Sequence, residues 1–198
     1  MEIQQIGKVT HGATLARIEA NTGQNYKAFS VFTMQELNRE TGQYGLSIEN
    51  QEVNVDIDKI DSNLIAKKGS IIVGLTSYKA LVIEKKHEGK LIPSNFAIIE
   101  FDIEKIDPFY FAWYFNENSK TKKQLLVAMQ GSIIRALSVQ MLREFKIELP
   151  PINIQRNIGI VYKLTQRKAK LLFKKNALQQ KLYNKLMENK IKECSKCQ

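Results

Sequence analysis

Asp61 and Glu84-Lys85-Lys86 have the outline Asp…Glu-x-Lys, the arrangement in which two carboxylates hold Mg²⁺ beside a lysine in metal-dependent nucleases. Acidic and basic residues make up 25% of the chain, so that outline also arises by chance. Asp107-Pro108-Phe109-Tyr110 approaches the Asp-Pro-Pro-Tyr loop that holds a target adenine in amino-methyltransferases. Its second proline is missing and no cofactor domain accompanies it; a proline in the first turn of a helix, followed by aromatics entering a core, accounts for the same residues. Cys194-x-x-Cys197 is half a zinc site, whose second pair would have to come from another chain. So close to the end of the sequence it reads as a frayed tail. His11 and His87 are the only two histidines, and neither stands in a metal-ligand spacing. No phosphate-binding Gly-x-x-x-x-Gly-Lys-[Ser/Thr] or dinucleotide-type Gly-x-Gly-x-x-Gly occurs. The chain does not read as an enzyme, and no metal or cofactor is assigned to it. A small Mg²⁺ nuclease using Asp61, Glu84 and Lys86 stands as the enzymatic alternative.

Charge carries more information than these motifs. The 198 residues hold 30 Lys+Arg against 20 Asp+Glu, a net charge of +10. Residues 1–150 contain 18 of each sign, whereas residues 151–198 contain 12 basic and 2 acidic side chains, so the whole excess lies in the second part. Such a step marks two parts with different work. The boundary falls at Leu149-Pro150-Pro151, where paired prolines end one element and admit a helix after them. We therefore divide the chain into a domain over 1–150 and a long basic helix with a short tail over 151–198.

In the first part, short β-rich runs recur at Tyr26–Met34, Glu52–Ile57, Ser70–Leu75, Ala80–Glu84 and Phe96–Phe101, with glycines in the gaps between them. From Asp107 to Met129 the pattern becomes helical, as two helices with a break near Asn116–Ser119. A last strand, Glu144–Leu149, leads into the prolines. The non-alternating order predicts an α+β fold. After Pro151, roughly 40 residues with no proline make a rod of about 60 Å. Ile158, Val161, Leu164, Leu171, Leu178, Leu182 and Leu186 form one stripe on it, with Lys168 and Lys175 intruding. A rod of that length cannot pack along its whole length on a 150-residue domain, so it needs a partner helix. No apolar run reaches the ~18–20 residues that span a bilayer, and the first residues lack a signal-peptide layout, so a cytoplasmic protein is expected.

Like charges spaced along a helix repel one another, and an anionic partner such as nucleic acid relieves that repulsion. In the neutral domain, polar and basic residues in glycine-bounded loops are the candidates to face DNA: Tyr26 and Lys27; Gln43 and Tyr44; Thr76, Ser77 and Lys79; Lys85, Lys86 and Lys90; and Arg135. Lys and Arg can read guanine edges or hold phosphates, and Gln suits adenine.

Several stretches together resemble the DNA-specificity (S) subunits of type I restriction-modification systems. These are the turn Gly12-Ala13-Thr14-Leu15-Ala16-Arg17 and the strand start Lys67-Lys68-Gly69-Ser70-Ile71-Ile72, where Ser70 replaces the usual Asp. Asp107-Pro108-Phe109-Tyr110-Phe111-Ala112-Trp113-Tyr114 is a third. The most specific runs from Gly131 to Leu142, then Phe145-Lys146-Ile147-Glu148-Leu149-Pro150-Pro151, Gln155 and Ile158. The resemblance implies a non-catalytic target-recognition domain followed by one long helix that pairs as an antiparallel coiled coil. It also implies sequence-specific binding of double-stranded DNA beside methyltransferase (modification) and restriction subunits. S-adenosylmethionine and Mg²⁺ would belong to those partner subunits. Full-length members carry two recognition domains and two helices, so this chain reads as half a subunit: a homodimerising half-length form, or a cassette of a longer one. A standalone sequence-specific DNA-binding regulator is the alternative.

Overall fold

The computed structural model describes residues 1–21, 25–129 and 136–195. Its centre is a four-stranded antiparallel sheet in the order β1 (Gly7–His11), β6 (Phe96–Phe101), β4 (Ile71–Gly74), β5 (Lys79–Val82). β4 is buried along its whole length because both faces of the sheet are covered. Side chains alternate between the faces with the period of a strand. Val9, Ile71, Val73, Ala80, Val82, Ala97 and Ile99 meet the aromatics Tyr110, Phe111, Tyr114 and Phe115 of α3 (Pro108–Glu117). Ile72, Phe96 and Ile98 meet Phe32, Leu37, Ile83 and Ile92 on the other side. Leu37 lies on α2 (Met34–Glu40). A second, two-stranded sheet, β2 (Tyr26–Ser30) with β3 (Glu52–Asp56), packs through Val55 and Phe29 against Ala13, Leu91 and Ile18 of the short α1 (Leu15–Ile18).

α3 starts where Asp107 accepts a hydrogen bond from the Tyr110 amide at 2.8 Å and Pro108 occupies the first turn. A side-chain acceptor there satisfies an amide that the helix cannot, and proline loses nothing at that position. α4 (Ser119–Met129) follows after a one-residue break at Asn118, and α5 is Val139–Arg143. α6 then runs from Ile152 to Ser195, 44 residues. No helix among the described residues is long and apolar enough to cross a membrane.

Two expectations are corrected. The β-rich run at Tyr26–Met34 ends at Ser30, because Thr33 and Glu36 form a reciprocal cap that starts α2. Glu144–Leu149 is no strand: the Phe145 carbonyl accepts from the Ile3 amide, and Ile147 exchanges hydrogen bonds with Met1 at the start of the chain, around a single bridge between Glu2 and Lys146. The first part of the rod packs on the domain, and the rest projects from it. Ile158 and Tyr162 pack against the core beside α3. Gln155, 1% exposed, accepts a hydrogen bond from the Asp107 amide and donates to the carbonyls of Lys105 and Pro150. Gly159 explains itself at this crossing, since a Cβ there would fall 2.2 Å from the Asp107 carboxylate.

Candidate nucleic-acid interface

The candidate residues separate into those that face outward and those that hold α6. Beyond the Thr33 cap, α2 presents Glu36 and Glu40 one turn apart on one side. Lys86 and Lys90, from the segment after β5, close on them. Lys90 meets Glu36 at 2.5 Å, and Lys86 pairs with Glu40. Lys170 of α6 reaches the same Glu40 carboxylate at 3.0 Å. Burial pushes the Glu40 carboxyl up, but the two ammonium groups outweigh it and hold its pKa below the usual value. The same burial pushes Lys86 down from its ordinary range, and Glu40 only partly offsets that.

His87 lies inside this cluster, edge-on to Phe32 at 5.2 Å between ring centroids. Its nitrogens are 3.6 Å from Glu36 and 3.9 Å from Glu40, too far for hydrogen bonds. Burial and then Lys86 lower its pKa, so the ring is neutral at pH 7. Tyr44 belongs to the same junction. Its hydroxyl donates to the Gln166 side-chain oxygen at 3.2 Å, and its ring lies 6.0 Å from that of Phe173. Tyr44 and Lys86, expected at the DNA, are engaged where α6 seats, and Lys90 is paired with Glu36 of α2. Glu36, Glu40, His87 and Lys170 complete this junction, and sequence reasoning did not single them out for it. The i,i+4 carboxylates of α2 were a visible signal, but their partners come from segments far along the chain.

Of the remaining candidates, Tyr26, Lys27, Gln43, Thr76 and Lys85 are exposed and Lys79 is half-buried at the start of β5. Lys27 also lies 5.2 Å from the Phe29 ring. The Ser77 hydroxyl is buried under the β4–β5 turn, where Gly74 leaves no room for a Cβ. Arg135 and Cys197 lie outside the described residues. The residues of the nuclease outline are not brought together. Asp61 caps a short turn through the Asn63 amide, Glu84 pairs with Lys163 at 2.9 Å, and Lys86 pairs with Glu40. Among the described residues no cluster of three or more His, Cys, Asp or Glu side chains could hold a metal ion.

Part of the positive excess of α6 is answered inside the molecule. Arg156, Lys163 and Lys170 face Glu104, Glu84 and Glu40. The apolar stripe is not answered. Val161 is 64% exposed and Leu171 57%, with Leu164, Leu178, Leu182 and Leu186 comparably open. Ile158 leaves that set, because it faces the domain core.

An α+β head seated on one half of a long basic helix is a module built to present loops and a stalk. Residues 1–180 match the family of the type I restriction modification DNA specificity domain, and the chain belongs to that family. Solved structures share the fold at low identity. The HsdS subunit from Thermoanaerobacter tengcongensis is 15% identical, with a TM-score of 0.61 over 94% of this chain and 46% of that one. A chain from work on complex assembly and conformational transition of the type I R-M system is 14% identical, with a TM-score of 0.61 over 91% of this chain and 45% of its own. The S subunit of the type I restriction-modification system from M. genitalium is 15% identical, with a TM-score of 0.56 over 94% and 43%. This chain spans about half the length of each of them.

Proposed function

We propose that this chain is a DNA-specificity module of a type I restriction-modification system, selecting the duplex sequence on which partner methyltransferase and restriction subunits act. The match to the specificity-domain family across residues 1–180 carries this reading. The outward loops bearing Tyr26, Lys27, Gln43, Thr76, Lys79 and Lys85 are the DNA-facing set, and the chain itself supplies no chemistry. S-adenosylmethionine and Mg²⁺ belong to the partner subunits, and the complex works in the cytoplasm, where the DNA is.

The exposed stripe of α6 pairs with the same stripe of a second copy as an antiparallel coiled coil. Each leucine left in water forgoes about 1.5–3 kcal/mol of burial, and a two-fold axis lets one stripe serve both chains. Two identical heads then read identical half-sites in inverted orientation, so the target is an interrupted palindrome. Co-expression with a methyltransferase subunit, followed by mapping of the adenines it modifies, tests the reading. An interrupted palindrome is the expected pattern. Replacing Leu171 and Leu178 by Glu should yield monomers that bind single half-sites weakly. A purified chain that alone cuts DNA in Mg²⁺ would overturn the non-catalytic assignment, and binding without any methyltransferase association would favour a standalone regulator.

A further inference from the structure

α3 and α6 pack side by side and leave a groove of about 680 Å³ along their outer edge. Trp113 and Glu117 of α3 and Asn157, Ile158, Val161 and Thr165 of α6 line it. Two packed helices offer such a furrow to the side chains of a third. Val161 belongs both to this groove and to the exposed stripe, so a helix seated on the stripe at that point enters the groove as well.

The length and spacing of α6 say which helix that is. Phe173, resting on Tyr44, ends the stretch seated on the domain, and from residue 174 to Glu193 every side chain is exposed. Phe173 therefore divides the helix into two equal halves, 152–173 docked and 174–195 projecting. The stripe steps by three and four alternately through Val161, Leu164, Lys168, Leu171, Lys175, Leu178 and Leu182, the spacing of a coiled-coil seam. Among the antiparallel pairings that oppose its alternate positions, the one that matches docked half to projecting half sets Leu164 against Leu182 of the second copy, Lys168 against Leu178, and Leu171 against Lys175. That register is centred on Phe173. The residue that ends the docked half is thus the centre of the pairing, and each projecting half lies along the other chain's docked half.

In this register Val161 faces residue 185 of the second copy, which brings residues 181–189 alongside the groove. We infer that the α3–α6 groove at Trp113 is the seat of residues 181–189 of a second copy of this chain. The inference rests on the dimeric reading above and deepens it, because a recognition-domain side chain becomes part of the dimer interface. Leu182 and Leu186 of the incoming segment supply apolar surface against Trp113 and Val161. Glu117 on the rim is exposed, and the incoming segment brings Lys181 and Lys185 against a single acidic residue, Glu188, so the charges are complementary.

Trp113 is the only tryptophan of the chain, so its emission reports this groove alone. Full-length protein is titrated from sub-micromolar to tens of micromolar, with sedimentation run in parallel. The emission maximum should move to the blue in step with the dimer fraction. Glu117→Lys should weaken self-association about five- to tenfold by turning an attraction into a repulsion. Adding Lys185→Glu to the same chain should restore it, with circular dichroism confirming that both variants fold. A dimer whose Trp113 emission stays constant, or a double variant weaker than Glu117→Lys alone, would overturn the groove assignment while leaving the dimer standing. A chain that stays monomeric throughout would remove both.

Discussion

The carboxylate of Glu40 lies 3.0 Å from the ammonium of Lys170, a residue 130 positions further along the chain. Lys86 holds the same carboxylate from the other side. This junction, with Tyr44 on Gln166 beside it, ties the direction of α6 to the sheet. At the other end of the docked half, Gln155 and Gly159 fix the helix against the start of α3. The stalk is therefore a rigid extension of the domain over half its length.

Glu40→Gln leaves Lys86 and Lys170 facing each other across a half-buried site with their carboxylate gone. We expect a loss of about 1–3 kcal/mol in stability, read by urea denaturation at neutral pH. Because the folded pKa of Glu40 is lowered, its contribution is present above the ordinary value of 4.5 and is lost as pH falls through the folded value. The difference between Glu40→Gln and the parent should accordingly close below about pH 4.5.

His87 gives a second and separate pH dependence. Its folded pKa is lowered from 6.5, so the unfolded chain takes up the proton first and stability falls as pH drops below that value. Thermal denaturation followed from neutral pH downward should show this loss in the parent. In His87→Gln the profile should be flatter over that range, whatever the variant's stability at pH 7.

Gly159→Ala tests how closely α6 approaches α3. Alanine gains about 1 kcal/mol of helix propensity over glycine. The added Cβ would lie 2.2 Å from the Asp107 carboxylate and would force the helices apart, at a cost of about 1–3 kcal/mol. A net destabilisation by thermal unfolding is the expected result. A gain in stability would mean that the crossing has room for a methyl group.

Lys79 and Lys86 separate recognition from support. On the cognate duplex, Lys79→Ala should cost about 1–3 kcal/mol and relax the preference at one position if it reads a base. If it holds a phosphate, binding should weaken evenly across sequences and the slope of log K against log[salt] should become shallower by ~0.9. Lys86→Ala should lower the melting temperature and leave base preference untouched, because its ammonium is spent on Glu40.

Much of the head was legible from local pattern. β3 and β6 fall where β-rich runs were expected, and the break between α3 and α4 lies at Asn118, inside the predicted interval. Each of these signals sits within a few residues of the element it specifies. The run Tyr26–Met34 overshot because Val31 and Phe32 continue the β-rich pattern up to the Thr33 cap of α2. The segment Glu144–Leu149 misled for another reason. Its alternating pattern is that of an extended chain, but whether an extended chain becomes a strand depends on a neighbour, and its neighbours are Met1, Glu2 and Ile3.

The candidate site divides along the same line. The sequence by itself determined that a long basic helix follows Pro151, that one face of it carries leucines, and that Lys168 and Lys175 interrupt that face. Helical periodicity fixes these relations among neighbouring residues, and nothing outside the helix is needed. Only the tertiary structure decided which face the domain claims. It turned Ile158, Tyr162 and Gln166 inward and left Val161, Leu164 and Leu171 open. It also spent Lys86, Lys90 and Lys170 on the carboxylates of α2. A charge count sees only the sum of such groups. Which carboxylate meets which lysine is set by contacts between segments 46 to 130 residues apart, and no local spacing encodes them.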